Sequence, residues 1–264
     1  MPLHIAVMNL QSGIGVTKGY GQYLTRGWRY LLPHPGLPIE DAGQFLKSES
    51  VDIALLTEVE AGSRRSRYAS QITTVSEHAG LSYTHFFPTR SMGTSINEGN
   101  AIASRYPMSD TKIHPLRSSS NPRVLGETII EYDGAKITVF VAHLALGAKV
   151  RLAQLKELAE IIVRTPGPVI LGGDFNERDH AVFGPLDSIG LTHVCKPGYP
   201  SWGPRHGLQV LFLSDHFDVT DVAAPSGSRF SDHLPLIVEA ELTPRSAPQP
   251  FASSPIVGSR APHH

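Results

Sequence analysis

Polar residues recur where the apolar runs of this chain stop, and their types suit one kind of chemistry. Asn9 closes Ile5-Ala6-Val7-Met8, and Glu58 follows Ile53-Ala54-Leu55-Leu56-Thr57. His143 follows Thr138-Val139-Phe140-Val141-Ala142. Asp174 and Asn176 come after Val169-Ile170-Leu171 and Gly172-Gly173, and Asp232-His233 precede Leu234. In α/β sheets, strand ends on one edge form the usual crevice for ligands. A carboxylate there is costly to bury unless it is paired or bound to a cation. Oxygen donors such as Glu58, Asp232 and Asn9 suit Mg²⁺ or Mn²⁺. Two histidines beside an aspartate suit proton transfer and anion stabilisation. Each residue alone reads more simply as a turn, cap or hydrogen-bonded core residue. The set, with three acids, two amides and two histidines at strand ends, is what points to a site.

The elements that must position these groups are short and mostly β. Leu3–Asn9, Val51–Val59, Tyr83–Phe87, Asn100–Ser104, Val124–Tyr132, Lys136–Ala142, Val169–Gly172, Leu208–Leu213, Phe217–Val222 and Leu234–Leu242 read as strands. Asp133-Gly134 between two of them is a hairpin signal. Leu152, Leu155, Leu158, Ala159 and Ile162 give the clearest helix. Pro38, Ile39, Ala42, Phe45 and Leu46 give a second, with the proline near its first turn. A weaker helical pattern covers Arg65–Ala79. Gln11–Pro35, with five glycines and little periodicity, reads as a long loop of the kind that is often functional. The expected architecture is α/β, with two mixed sheets packed face to face and helices outside. Residues 1–242 form one domain in this reading, and 243–264, with five prolines and four serines, a flexible tail.

Composition narrows the class. The chain has 264 residues, 23 Lys and Arg against 24 Asp and Glu, and 41% hydrophobic residues. Such a chain buries a full core and is not disordered as a whole. The net charge of −1 lacks the basic balance usual in nucleic-acid binders. The single Cys195 forms no internal disulfide and no Cys-rich zinc site. No apolar run approaches the ~18 residues that would span a bilayer. The start, MPLHIAVMNL, has no basic stretch before a long apolar one, so a cytoplasmic protein is expected.

Six segments, taken in order, carry a resemblance. They are Ala6-Val7-Met8-Asn9, Leu55-Leu56-Thr57-Glu58-Val59, Gly99 to Pro107 (GNAIASRYP), Ala142-His143-Leu144, Gly172 to Asn176 (GGDFN) and Ser231 to Pro235 (SDHLP). The chain resembles the endonuclease/exonuclease/phosphatase superfamily. That resemblance implies a four-layer α/β sandwich and cleavage of phosphoester bonds with Mg²⁺ or Mn²⁺ as cofactor. It implies Glu58 as principal metal ligand with Asn9 and Asp232 nearby, and Asp174 as the group that orients or deprotonates the attacking water. Asn176 would position water or a phosphate oxygen, and His143 and His233 would donate to the phosphoryl group. Asn100, Arg105 and Arg123 would contact substrate. Whether Asp174 or a histidine is the base stays open.

One departure stands out. The family usually carries an Asp that orients the histidine of Ser-Asp-His, and here Gln209 occupies that place. An amide can accept an imidazole N–H but cannot stabilise imidazolium by charge. Replacing Gln209 with Asp is therefore expected to raise turnover. Arg64, Arg65 and Arg67 read as a solvated helix face, Trp202 as core, and Trp28 and Tyr30 as a substrate rim or loop anchors. With no basic stripe for a duplex, a small or lipid-derived phosphoester is favoured over nucleic acid. No clear amphipathic element for a membrane shows in the sequence. Three functions follow. The first is a metal-dependent phosphodiesterase or phosphatase acting as a monomer. The second is a DNA endonuclease or exonuclease of abasic-site or deoxyribonuclease type. The third is a weakly active or non-catalytic phosphate-binding relative, on account of Gln209.

Overall fold

The computed structural model describes residues 2–34 and 38–243. Two six-stranded mixed sheets stack face to face. The first contains β1 (Leu3–Asn9), β2 (Ile53–Glu60), β3 (Tyr83–Met92), β4 (Ile96–Ser104), β11 (Phe217–Ala223) and β12 (Leu236–Leu242), in the order β11-β12-β1-β2-β4-β3. The second contains β5 (Met108–Leu116), β6 (Arg123–Tyr132), β7 (Ala135–His143), β8 (Val169–Asp174), β9 (Leu191–Cys195) and β10 (Gln209–Ser214), in the order β5-β6-β7-β8-β10-β9. Helices α2 (Pro38–Ser48) and α3 (Gln71–Ala79) cover the first sheet, and α4 (Ala148–Ile162) covers the second.

Alternation along each strand builds these layers. In β1, Ile5 and Val7 enter the core between the sheets, while Ala6 and Met8 face the α2–α3 layer. In β2, Ile53 and Leu55 point inward and Ala54 and Leu56 outward. On the other side Leu155, Leu158 and Ile162 of α4 pack on Phe140 and Leu171. Burial of this apolar surface at roughly 25 cal/mol per Å² is the main force holding the layers together.

Each sheet contains a parallel pair at its centre. β1 and β2 are parallel, with Asn9 beside Thr57, and β7 and β8 are parallel, with His143 beside Asp174. Parallel neighbours need a crossover, which α2 supplies in the first sheet and α4 in the second. The carboxyl ends of both pairs therefore carry Asn9, Glu58, His143 and Asp174. Gly172 and Gly173 let the second pair close up. A Cβ on Gly172 would come within 2.4 Å of Leu55 Cδ1 across the sheets. Gly173 has φ +151°, and a Cβ there would overlap the Ala142 carbonyl.

Several expectations change. The strands β5 and β9 were not visible in the sequence. Both are edges, and β5 exposes most of its residues, so no apolar alternation marks it. The helix expected from Arg65 starts at Gln71, capped by Ser70 through its Thr73 N–H. Gln11–Pro35 is not wholly irregular. It contains α1 (Gly21–Arg26) and 3₁₀ turns at Gln11–Gly13 and Gly27–Tyr30. The hairpin at Asp133-Gly134 has φ +48° and +78°, the pair of positive values a type I′ turn requires. From residue 244 the expected tail lies outside the described residues. Among the described residues no helix is long and apolar enough to cross a membrane.

Candidate active site

Glu58 reaches its position through a backbone irregularity. The pairing of β2 with β4 shifts by one residue between Leu56 and Val59, and Glu58 has φ +52°. A bulge of this kind re-aims a side chain and is common beside active sites. Asn9 Nδ2 donates to Glu58 Oε1 at 3.1 Å and to Asp174 Oδ2 at 2.9 Å, so one amide ties the two sheets together. Asn9 Oδ1 accepts the Gln11 N–H at 2.9 Å. Asn9 was expected to offer oxygen to a metal; in the structure that oxygen is engaged and its NH₂ holds the two carboxylates.

Asp174 is buried and well supplied with donors. Its Oδ1 accepts the Asn176 N–H at 3.0 Å, and His233 Nε2 stands 3.6 Å from Oδ2. Burial alone would raise this carboxyl. The His233 and His143 imidazoles, the Asn9 amide and the Asn176 N–H outweigh it and hold Asp174 below the usual range. Asn176, at φ +51°, gives both amide protons away, to His143 Nε2 and to the Leu144 carbonyl, each at 3.0 Å. Burial, then the nearby Arg123 charge, push His143 down to about 4, so it is neutral at pH 7. Its Nε2 lone pair is taken by Asn176.

The loop at Ser231–His233 is fastened to β1. Ser231 Oγ donates to the Asn9 carbonyl at 2.5 Å and accepts the His233 N–H at 3.1 Å. The Tyr199 ring lies 4.8 Å from that of His233. Gln209 does not orient the imidazole. With its amide turned so that both ends are satisfied, its oxygen accepts the Asn9 N–H at 2.8 Å and its nitrogen faces the Leu234 carbonyl. Among the described residues His233 Nδ1 is left buried without a partner. His233 Nδ1 is the atom a carboxylate at 209 is expected to meet, so the gain expected from Gln209→Asp stands as a prediction.

A cavity of about 550 Å³ opens on this cluster. Glu58, His143, Asp174, Asn176, Asp232 and His233 all line it, with Arg123 at its side. The Arg123 guanidinium makes no hydrogen bond or ion pair with any described residue, though it lies close enough to Glu58, Asp174 and Glu98 to feel their charge. Arg105 and Asn100 are not brought here. Arg105 pairs with Asp52 at 2.9 Å and bonds the Val51 carbonyl, at the far end of β2 from Glu58. Asn100 is buried and points its amide at the Val124 carbonyl.

Three contributors, Glu98, Tyr23 and Tyr199, were not singled out in the sequence, and two, Arg65 and Trp202, were read differently. Glu98 lines the cavity and is paired with Arg65, which is itself buried and bound to Glu60. Arg65 is thus not part of a solvated face. Tyr23 donates its hydroxyl to Asp232 Oδ2. Tyr199 lines the cavity, and Trp202 is half-buried against Tyr20 at 5.1 Å rather than in the core. Of these, only Tyr199 and Trp202 share a recognisable sequence feature, the stretch Tyr199-Pro200-Ser201-Trp202.

Acidic charge accumulates at one side. Burial, with Glu98, Asp232 and Asp174 adding repulsion against the Asn9 hydrogen bond, pushes Glu58 up to about 8. Burial foremost also raises Asp232. Among the described residues no three His, Cys, Asp or Glu side chains form a ready cluster for a metal. Mg²⁺ needs none, since it binds through one or two carboxylates and keeps its waters and substrate phosphates as other ligands. Glu58 and Asp232, hard oxygen donors with surplus negative charge, fit such an ion.

The comparisons agree with this geometry. The Endonuclease/Exonuclease/phosphatase family profile matches residues 9–233. No curated protein matches the chain in sequence. Among solved structures, an endonuclease/exonuclease/phosphatase from Beutenbergia cavernae superposes with a TM-score of 0.72 at 17% identity, covering 92% of this chain and 72% of that one. A mannosyl-6-phosphatase from Bacteroides thetaiotaomicron gives 0.68 at 16%, covering 91% and 100%. The human Nocturnin catalytic domain with bound sulfate gives 0.64 at 18%, covering 92% and 95%. With the family's profile spanning the chain from Asn9 to His233, this protein belongs to the endonuclease/exonuclease/phosphatase family, whose members hydrolyse phosphoester bonds.

Proposed function

We propose that this protein is a divalent-metal-dependent phosphoester hydrolase acting on small or headgroup-sized phosphoesters. One observation carries the reading. Carboxylates, a neutral histidine and an unpaired guanidinium converge on one pocket at the ends of both central strand pairs. Glu58 and Asp232 would hold the ion, which when bound supplies positive charge to phosphoryl oxygen. Asn9 keeps Glu58 and Asp174 at fixed separation. Asp174, held ionised, accepts the hydrogen bond of a water and aims it at phosphorus. His233 steadies Asp174 through Nε2, and Arg123 meets the anionic oxygens of the substrate. Such positioning and charge stabilisation are the chief means of phosphoryl transfer. The 550 Å³ cavity admits a compact ester or headgroup rather than a duplex groove.

Hydrolysis of bis-p-nitrophenyl phosphate with Mg²⁺, with Mn²⁺ and with EDTA tests this. Turnover should require the added ion, and absence of any ion-dependent turnover would overturn it. The non-catalytic alternative draws on the unpartnered His233 Nδ1. It predicts phosphate binding without turnover in that assay. Plasmid nicking separates a nuclease from both.

A further inference from the structure

The segment between β1 and α2 has two faces. Tyr23, Arg26 and Tyr30, spaced by three and four residues, are tied by hydrogen bonds to other parts of the chain, with Tyr30 still 36% exposed. Tyr23 bonds Asp232, Arg26 Nη1 donates to the Gly15 carbonyl, and the Tyr30 hydroxyl accepts from Gln11 Nε2 at 3.3 Å. Tyr20, Leu24, Trp28 and Leu31, spaced by four, four and three, form the other face and are exposed. Leu24 is 90% exposed, Leu31 69% and Tyr20 62%, and Leu32 adds to them. Between Gln11 and His34 there is no Asp or Glu, while Lys18 is exposed and basic, and Arg26 and Arg29, half-buried, keep their charge with one Nη1 each on the Gly15 and Ile14 carbonyls.

Scattered exposed apolar residues are ordinary, but a contiguous set marks a contact surface. The combination of leucines and interfacial aromatics with basic side chains and no acid is that of an element lying in a lipid headgroup layer. The charge complements an anionic surface. This face also borders the catalytic pocket. Tyr30 lines it, and Tyr20 packs on Trp202, whose cavity shares Tyr199 and Arg178 with the catalytic one.

We propose that the outer face of residues 18–32 docks on an anionic lipid membrane and brings the pocket to phosphoesters in the headgroup layer. The substrate half rests on the hydrolase reading above; the docking half does not. Tyr23 and Tyr30 tie the docked segment to Asp232 and to the pocket wall, so a docked molecule holds its active site at headgroup depth.

The full chain is sedimented with vesicles of phosphatidylcholine alone and of phosphatidylcholine with phosphatidylglycerol. Binding to the anionic vesicles, weakened by salt, is expected. Leu24→Ser should weaken it about tenfold, and Leu24→Ser with Leu31→Ser by about a hundredfold, with melting temperature and circular dichroism confirming the fold. Lys18→Glu should weaken it further at low salt. No binding by the parent, or equal binding by the double variant, overturns the docking, as does light scattering that shows this face buried between two copies. Turnover of bis-p-nitrophenyl phosphate is read on the same samples. Turnover without vesicle binding overturns the docking alone, while binding without turnover overturns only the hydrolase reading. Phosphatidylglycerol in vesicles should be cleaved faster than free glycerophosphoglycerol; equal rates overturn the substrate half.

Discussion

Glu58 and Glu60 stand two residues apart on β2 and have opposite surroundings. Glu60 is fully buried and closed off: Arg65 Nε donates to it at 2.7 Å and the Asn97 N–H at 2.7 Å. Glu58 has one neutral amide and a ring of other acids, and its carboxyl is pushed up to about 8. A carboxylate that serves the fold is given its counter-charge by the chain. One that is left short of positive charge stores an unmet demand, and that demand marks the place for a ligand. The same contrast separates the arginines. Arg65, Arg105 and Arg151 are committed to Glu60, Asp52 and Glu177, whereas Arg123 has no such partner among the described residues.

The sharpest way to break the contrast is chemical. Asp174→Ala should lower turnover of bis-p-nitrophenyl phosphate by about 10³-fold or more, since it removes the group that aims the water. Persistence of activity would point to a contaminant. Glu58→Gln should lower turnover by on the order of 10²-fold at fixed Mg²⁺ and raise the Mg²⁺ concentration needed for half activity. It should leave stability in EDTA equal to or above the parent's, because it removes like-charge repulsion. A melting temperature that falls as far as in a Glu60 variant would erase the distinction.

The counterpart lies in stability. Arg65→Met should cost about 3–5 kcal/mol in urea unfolding, because Glu60 would remain buried and unpaired. Arg105→Ala, whose guanidinium is half exposed, should cost about 1 kcal/mol or less. Equal losses would show that burial does not set the difference.

The last test is a pH slope. His143 is held neutral, near 4 when folded against 6.5 as the ordinary value. Between those values the unfolded chain binds the proton and the folded one does not. Stability should therefore fall as pH drops from 6.5 towards 4, by about 3 kcal/mol from this group. His143→Gln should flatten that part of the profile, measured by urea unfolding across the range. A variant with the parent's slope would exclude His143 as its source.

Much of the site could be read from the residues, because strand-end chemistry is local. The runs ending at Asn9, Glu58, His143 and Asp174 became strands ending there or within two residues, and the parallel pairs align those ends. Gln209 shows where local reading stops. Its position in the sequence suggested a partner for His233, yet the side chain is held by the Asn9 N–H and the Leu234 carbonyl. Arg64, Arg65 and Arg67 look alike in sequence, but only Arg65 meets Glu60 and Glu98.

Periodicity, turn chemistry and the residue types at strand ends determined the two-sheet architecture and the acids, amides and histidines of the pocket, since these depend on neighbours a few positions away. Tertiary structure alone decided which charges are neutralised, and that residues 20 to 32 keep one apolar face in water. Both depend on the register of strands far apart in sequence, which sets whether Arg65 reaches Glu98 and whether Tyr23 reaches Asp232.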